Sequence, residues 1–577
     1  MMKSRVGVYI CHCGINIAAT VDVEAVTAFA QTLPNVAVAR NYTYMCSDPG
    51  QELIKKDIRE HGLTHVVVAS CSPRMHEPTF RGVVQEAGIN PYCFEMANIR
   101  EQCSWVHQDR ARATEKAKQL VASAVAKAAL LQPLEEREVG VTPAALVIGG
   151  GIAGIEAALD IANAGFKVYL VEKEPTIGGR VAQLNRTFPT LESCQELLSP
   201  RIKAVAEHPN VVLLTSSEVV GIEGYIGNFQ VTVLKSQISN LKSQMDFEVG
   251  SIVVTIGYDH FDAHLKPELG YGRYPNVITA PEFERLSKEL GSTGAREQGS
   301  GGAGPTTRLK DVVFIQCVGS RDQTVGNEYC SRVCCMYTAK QAYLVKERMP
   351  EANVTVFYMD VRAFGKGFEE FYDRVRRDGV QYRRGSVSEI YRRGDRVVVR
   401  AEDTLLGEPL EVEADLVVLA TGIVPRRGAQ AIAELLKLPR SPDGFFAEAH
   451  PKMRPVDTVS DGVYLAGCCQ GPKDIPDTIA QAKAAASSAM IPLSRGRVKV
   501  ESITSFVQME TCAGCGICES LCAYGALTRD VRRGIMTLNQ VLCKGCGACA
   551  AACPSGTMTL SHFTRGQIMA QIEALLA

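Results

Sequence analysis

Nowhere does this chain of 577 residues hold the ~20 uninterrupted apolar residues that a membrane-spanning helix needs, so no transmembrane segment is expected. Charge of one sign is also missing. The 62 Lys and Arg are balanced by 63 Asp and Glu, which gives no footing for nucleic acid. The first residues, MMKSRVGVYICHCG, carry neither a long apolar core nor a small-residue cleavage site. No export signal is expected, and the expected compartment is the cytoplasm. Between Cys194 and Cys317 there is no cysteine. The run GSTGAREQGSGGAGPTT at 291–307 lacks the apolar residues needed to pack and reads as a flexible surface loop.

What the chain does have is 21 cysteines. In a long chain without an export signal, spaced as C-x-x-C groups, they point to metal ligation in a reducing compartment rather than to disulfides. The apolar content of 46% is that of an ordinary globular protein. About three or four domains are expected, at roughly 150 residues each.

Residues 1–135 read as an α/β domain. Short β-branched runs at 6–10 and 65–69 end directly in cysteine, at Cys11-His12-Cys13 and Ser70-Cys71. A third extended stretch, 36–44, runs into Met45-Cys46. Helical patterns at 23–31, 50–60 and 77–86 lie between them, which predicts a parallel sheet. Sites in such sheets form beyond the carboxyl ends of the strands, where Cys11, Cys13, Cys46 and Cys71 converge. Cys103 follows in a loop beside Trp105, and Cys93 reads as a buried thiol. A single residue between Cys11 and Cys13 makes them a poor pair for one cluster. The expected ligands are therefore Cys13, Cys46, Cys71 and Cys103.

Residues 143–257, rejoined by 411–490, carry a dinucleotide fingerprint. Strand 144–148 runs into Gly149-Gly150-Gly151-Ile152-Ala153-Gly154, then a helix, then strand 167–171 ending at Glu172 and Lys173. Gly149 makes the turn, Gly151 admits a pyrophosphate and Gly154 lets helix and strand pack closely. The helix N-terminus, with Ile152 and Ala153, stabilises phosphate charge, and Glu172 stands where ribose hydroxyls bind. Gly178-Gly179-Arg180 and the later segments ending in Gly422 and Gly467 resemble flavin-contact segments of the glutathione-reductase-like flavoproteins. That resemblance points to FAD. Many members have an Asp after the last segment. Here Cys468 stands there, and Asp474 with Ile475, or else Asp477, is the polar group available, before a helix starting near Thr478.

The inserted stretch 258–410 repeats the plan of a second dinucleotide-like domain without its glycines. Strand 311–315 turns through Cys317-Val318-Gly319-Ser320-Arg321, and Cys330, Cys334 and Cys335 open a helix running through residue 349. Without Gly-x-Gly a pyrophosphate cannot approach the backbone in the usual way, so NAD(P)H is not expected here. Adjacent Cys334 and Cys335 make a strained disulfide and lack redox C-x-x-C spacing. The four are expected to hold a 4Fe-4S cluster, with Cys194 as an alternative ligand.

Residues 500–577 write the two-cluster bacterial ferredoxin pattern twice: Cys512, Cys515, Cys518 and Cys522, then Cys543, Cys546, Cys549 and Cys553. In that pattern the fourth cysteine of each run ligates the other cluster. Cys553 is thus assigned with Cys512, Cys515 and Cys518, and Cys522 with Cys543, Cys546 and Cys549.

The whole chain resembles the A-type subunit family of heterodisulfide reductase. The resemblance rests on VYICHCG (8–14), YMCSDPG (44–50), VASCSPRMHEP (68–78), FIQCVGSRD (314–322), YCSRVCCMY (329–337), FGKGFEEFY (364–372) and GPKDIPD (471–477). It implies an α/β fold: a glutathione/thioredoxin-reductase-like core of two dinucleotide domains, an N-terminal cysteine-bearing domain and a C-terminal ferredoxin domain. It also implies an FAD subunit that splits electron pairs between a low-potential acceptor such as ferredoxin and a disulfide-type acceptor. Partners would be the other subunits of such a complex, with hydrogenase- or formate-dehydrogenase-type donors, around a homodimer. The resemblance places Lys340 near the reactive nitrogen of the flavin, as its catalytic residue. The alternatives are a wiring subunit that does not bifurcate electrons, or an NAD(P)H:disulfide oxidoreductase with a fused ferredoxin. Two departures stand out. Fuller members carry an extra ferredoxin-like insert in the middle domain, and they have a C-x-x-C where this chain has only Cys194.

Overall fold

The computed structural model describes residues 4–235, 243–292 and 309–577. The glycine-rich run expected as a loop lies, from residue 293 on, outside the described residues. Two compact units emerge, 1–138 together with 499–577, and 139–498.

In the first unit, four parallel strands lie in the order Val36–Tyr42, Val6–Cys11, His65–Ser70, Phe94–Asn98. The two central strands, VGVYIC and HVVVAS, are buried at every position, as strands covered by helices on both faces must be. The covering helices start where a polar side chain caps them. Asp22 accepts from the Ala25 N–H ahead of Val23–Thr32, and Asp109 from the Arg112 N–H ahead of Arg110–Ala128.

By contact, the C-terminal stretch, expected as residues 500–577, groups with the N-terminal stretch in one compact unit. Helix Arg565–Leu576, opened by a Thr564/Gln567 capping box, packs against Arg110–Ala128. Gln567 donates to the Leu130 carbonyl at 3.0 Å, His562 lies 2.9 Å from the Gln132 carbonyl, and the Lys127 ammonium lies 3.7 Å over the Phe563 ring.

The second unit holds two parallel five-stranded sheets. The first runs Val463–Leu465, Ser251–Val254, Ala144–Ile148, Lys167–Val171, Val211–Leu214. The second runs Val277–Thr279, Leu416–Thr421, Asp311–Val318, Asn353–Tyr358, Val380–Arg384. Each is accompanied by a three-stranded antiparallel sheet, one within 217–249 and one within 387–414. The expected two-dinucleotide-domain plan is present. Its inner boundary moves, however: strand Leu416–Thr421 pairs with Asp311–Val318, so the inserted domain runs through Thr421 rather than ending at 410. Crossing strands Tyr258–His260 and Ile423–Pro425 pair with each other where the chain passes between the two domains. Among the described residues, no helix is long and apolar enough to cross a membrane.

Candidate flavin cavity and metal centres

Strand Ala144–Ile148 ends in the turn that the fingerprint requires. Gly149 has φ +109°, and a β-carbon on Gly154 would lie 1.8 Å from the Gly149 carbonyl oxygen, so only glycine allows helix and turn to meet. At Gly151, by contrast, a β-carbon would meet nothing within 4 Å. That open face, and the first turn of helix Ile152–Asn163, which has no side-chain cap, leave N–H groups available to phosphate. Glu172 holds the loop, accepting from the N–H of Gly150 at 2.6 Å and of Glu174 at 2.9 Å.

Beside this loop lies a cavity of about 1120 Å³, larger than the ~300–1,000 Å³ of ordinary small-molecule pockets and in keeping with a dinucleotide. Gly149, Gly151, Ile152, Ala153, Glu172 and Lys173 line one part of it, and Gly179, Arg180, Asp474 and Ile475 another. Gly154, Gly422 and Gly467 are not among the lining residues; a β-carbon on Gly422 would lie 2.9 Å from Ser331 Oγ and one on Gly467 3.0 Å from the Ala153 β-carbon. Three buried polar atoms in lining residues have no protein partner, His260 Nδ1, Thr421 Oγ1 and Gln341 Oε1. A ligand rich in hydrogen-bonding groups fits that surplus. Asp474 is the N-cap of helix Ile475–Arg495, which begins a little before the expected Thr478. Asp477 turns away to an ion pair with Arg332 at 3.0 Å.

Burial, with the Arg180 charge beside it, pushes the His260 imidazole down to about 4. The unfolded chain, with an ordinary histidine near ~6.5, then takes up this proton first. Stability is therefore expected to fall as pH drops from about 6.5 toward 4, by up to roughly 1.4 kcal/mol per pH unit from this group. Urea midpoints at pH 7 and pH 5 for wild type and His260→Asn check it. An equal loss in both proteins would contradict it.

Lys340 faces the cavity, but not as a free cation. Its Nζ donates to Glu284 Oε1 at 2.6 Å and to the Arg186 carbonyl at 2.9 Å, and the two side chains are 1% and 3% exposed. Glu284 also accepts from Gln341 at 2.7 Å and from the Asn185 N–H at 2.9 Å. The expected lone cation is thus half of a buried ion pair. Sequence motifs do not reveal Glu284, although one signal exists. Helix Ala280–Ser292 buries Ala280, Phe283, Glu284 and Ser287 on one face, and Glu284 is the carboxylate on that otherwise apolar and small stripe. Cys194, 1% exposed, lies beside this pair. Burial pushes its thiol up to about 11, and the charges acting on it are those of Lys340, Glu284, Lys288 and Glu192.

The four middle-domain cysteines come together. Electrostatic interactions link every pair among Cys317, Cys330, Cys334 and Cys335. Burial is the largest influence on three of them and raises Cys317 to about 12 as a free thiol. Metal ligation removes that proton. Cys317, one residue before the end of strand Asp311–Val318, takes φ +60°, and Cys334 and Cys335 occupy the first turn of helix Cys334–Arg348. The helix N-terminus that would hold a pyrophosphate in an ordinary dinucleotide domain here favours sulfur charge. The one glycine left in the turn is already filled: a β-carbon on Gly319 would lie 2.1 Å from the Phe261 ring. Tyr329 and Ser331 pin this loop to the cavity-lining chain, through the Ile423 carbonyl at 3.0 Å and the Ile423 N–H at 2.8 Å.

In the first unit, Cys13 is linked electrostatically to Cys11, Cys46 and Cys71. Cys13 takes φ +51°, and its N–H donates to Cys11 Sγ at 3.3 Å. Cys11 therefore belongs with the group despite its spacing. Cys103 does not. A π-helical turn, Arg100–Ser104, aims its fully buried thiol at the Ala113 carbonyl, 3.1 Å away inside the core. A residue absent from the sequence-based set, Arg100, donates to Cys13 Sγ at 3.3 Å, and its charge also acts on Cys46 and Cys71.

In the C-terminal stretch, matching short helices, Ile517–Leu521 and Ala548–Ala552, carry Cys518 and Cys549. One small cavity is lined by Cys522 together with Cys543, Cys546 and Cys549, the exchanged set that the spacing predicts. Backbone N–H groups already point at the sulfurs, from Ser505 to Cys543 at 3.5 Å, Met536 to Cys512 at 3.5 Å, Ala526 to Cys522 at 3.3 Å and Met558 to Cys553 at 3.5 Å.

Comparison with known proteins gives the following similarities. Residues 143–489 match the pyridine nucleotide-disulphide oxidoreductase family, and residues 511–557 the 4Fe-4S dicluster domain. The chain is 50% identical to the second iron-sulfur A-type subunit of CoB–CoM heterodisulfide reductase from Methanopyrus kandleri, over 91% of each chain. It is 48% identical to the A-type subunit of H(2):CoB-CoM heterodisulfide,ferredoxin reductase from Methanothermobacter marburgensis, over 100% of this chain and 98% of the relative. That alignment spans 651 residues against 577 in this chain, so the relative has segments that this chain lacks. Among solved structures, T. acidophilum thioredoxin reductase superposes with a TM-score of 0.41 at 19% identity, covering 61% of this chain and 99% of that one. The chain is an oxidoreductase polypeptide whose cofactors are FAD and 4Fe-4S clusters. It belongs to the A-type subunit family of heterodisulfide reductase.

Proposed function

We propose that this chain is the flavin- and cluster-bearing electron-transfer subunit of a heterodisulfide-reductase-type complex, and that it divides electron pairs between ferredoxin and a disulfide acceptor. One juxtaposition carries the reading. Val333 and Tyr337 line the cavity, and Cys334 of the four-cysteine group follows the first in sequence and opens the helix that carries the second. The named relatives support it, pairing a heterodisulfide with ferredoxin and, in some, with hydrogen or formate. FAD supplies exchange between two-electron and one-electron transfer, and the clusters supply one-electron carriers.

The protein's part is to hold and separate. Gly151 and the first turn of its helix hold pyrophosphate, and Glu172 and Lys173 face the ribose. Cys317, Cys330, Cys334 and Cys335 hold one cluster, and Cys11, Cys13, Cys46 and Cys71 a second. The eight cysteines of the ferredoxin repeat hold two more. Phe261 against Gly319 fills the approach that nicotinamide phosphates would use. A second reading, a relay that does not divide pairs, rests on the cysteine-free 195–316 stretch.

Anaerobic mixing with reduced ferredoxin tests the proposal. The wild-type chain is expected to lose its visible flavin absorbance. Cys317→Ala is expected to keep its FAD, lose the iron of one 4Fe-4S cluster and lose the response. Full iron content in that variant, or an unchanged response, would remove the proposal. In the assembled complex, equal electron delivery to ferredoxin and disulfide supports division, and delivery to the disulfide alone leaves the relay.

A further inference from the structure

Strand Phe94–Asn98 pairs with His65–Ser70, Asn98 opposite Ser70, so the turn after it stands at the sheet edge where Cys71 follows. The Asn98 side chain shapes this turn, accepting from the N–H groups of Arg100 at 3.3 Å and Glu101 at 3.0 Å. From it the Arg100 guanidinium spreads its fork among three partners. Nη1 donates to Cys13 Sγ at 3.3 Å. Nη2 donates to Glu101 Oε1 at 2.7 Å and to Met75 Sδ at 3.0 Å, and Nε donates to the same Glu101 oxygen at 3.2 Å. The guanidinium carbon lies 4.5 Å over the Trp105 ring. That ring is 57% exposed, whereas the Arg100 side chain is 11% exposed. Arginine is seldom buried without a charged partner, and here the acceptors are one carboxylate and two sulfurs.

We infer that Arg100 is a positioning residue whose hydrogen bond to the Cys13 sulfur raises the reduction potential of the N-terminal cluster. The inference rests on the proposed ligation by Cys11, Cys13, Cys46 and Cys71. The backbone suits that set: Ile10 pairs with Ala69, so both central strands deliver their cysteines to one edge, and Cys11, Cys13 and Cys46 pack in one group. A ligated cysteine is a thiolate, and a hydrogen bond that joins charged groups is roughly twice as strong as a neutral one. Reduction by one electron adds negative charge to the cluster and its sulfurs. A guanidinium in contact with one of them therefore stabilises the reduced form more than the oxidised form, which raises the potential. At 11% exposure little water is present to screen it. Glu101 acts in the opposite sense. Its carboxylate steadies the fork but offsets part of the charge, and its Oε2 is buried without a protein partner.

The test is an anaerobic redox titration of the whole chain followed by electron paramagnetic resonance, with the N-terminal signal identified by its loss in Cys46→Ala. In Arg100→Gln, the ratio of reduced to oxidised N-terminal cluster at the wild-type midpoint should fall about ten-fold, equivalent to about 59 mV for one electron. The other cluster signals in the same sample should keep their midpoints. Glu101→Gln, which removes the opposing charge, should raise the ratio, an opposite sign that a merely structural role for the turn would not produce. An unmoved midpoint in Arg100→Gln, a shift of all signals together, or a fall in Glu101→Gln would overturn the inference. A reading that leaves the arginine in place is the nitrogen coupling to this cluster in wild-type protein isotope-labelled at its arginine guanidinium nitrogens. The coupling is expected, and its absence would also overturn the inference. This reading and Glu101→Gln decide the case if Arg100→Gln does not hold its cluster. If Cys46→Ala keeps all its iron and every signal, the proposed N-terminal cluster fails and takes the inference with it. A lost signal there with an unmoved midpoint in Arg100→Gln overturns the arginine's role alone.

Discussion

Replacing Lys340 by alanine is expected to lower the stability of the flavoprotein unit by about 3–5 kcal/mol, the usual result of stripping one partner from a buried ion pair. Glu284, 3% exposed, would be left with only the Gln341 amide and the Asn185 N–H to bond it. An exposed pair would cost at most about 1 kcal/mol, so urea or thermal unfolding separates the two cases. The double variant Lys340→Met with Glu284→Gln removes both charges and keeps volume, and should recover most of the loss. A single variant that unfolds like wild type would show that the pair is solvated in solution. The pair also changes what the cavity feels. Its two charges cancel, so the flavin faces a dipole rather than a net cation. Lys340→Met alone should make flavin reduction harder by leaving a carboxylate in place.

The second large effect concerns the phosphate turn, where two glycines of one motif should fail in different ways. A β-carbon on Gly154 would stand 1.8 Å from the Gly149 carbonyl oxygen and 2.8 Å from Thr255 Oγ1, so helix and turn must separate. Gly154→Ala is expected to lose about 1–3 kcal/mol of stability and to purify without flavin. At Gly151 a β-carbon has free room in the protein, and that room is where pyrophosphate must come. Gly151→Ala should fold as well as wild type yet bind FAD at least about ten-fold more weakly, a difference of about 1.4 kcal/mol. The ratio of flavin to protein absorbance, set beside the unfolding midpoint, distinguishes them. A Gly154→Ala protein that is stable and fully flavinylated would refute the packing argument.

The elements legible in the sequence are those whose chemistry is held in covalent spacing. The glycine turn, the ferredoxin cysteines and the Cys317–Cys335 group each fall within a few dozen residues, and local geometry brings their members together. Where partners come from distant segments, the sequence is silent. Glu284 lies 56 positions before Lys340 and has no motif around it. The choice between Cys11 and Cys103 depends on tertiary detail. The left-handed turn at Cys13 lets the two strand-end cysteines stay in one group, and the π-helical turn buries Cys103 against Ala113. Arg100, on that same turn, is an ordinary arginine until folding sets it against three cysteines. The joining of 499–577 with 1–138 in one unit has no local signature, because the helices that meet are separated by more than four hundred positions.

The exchange of Cys522 into the second cysteine set makes the C-terminal repeat indivisible. Each half lends one ligand to its twin, so neither half can be deleted, transplanted or left to drift while the other keeps a complete set. A stop codon in the second half would remove a cysteine from both sets at once.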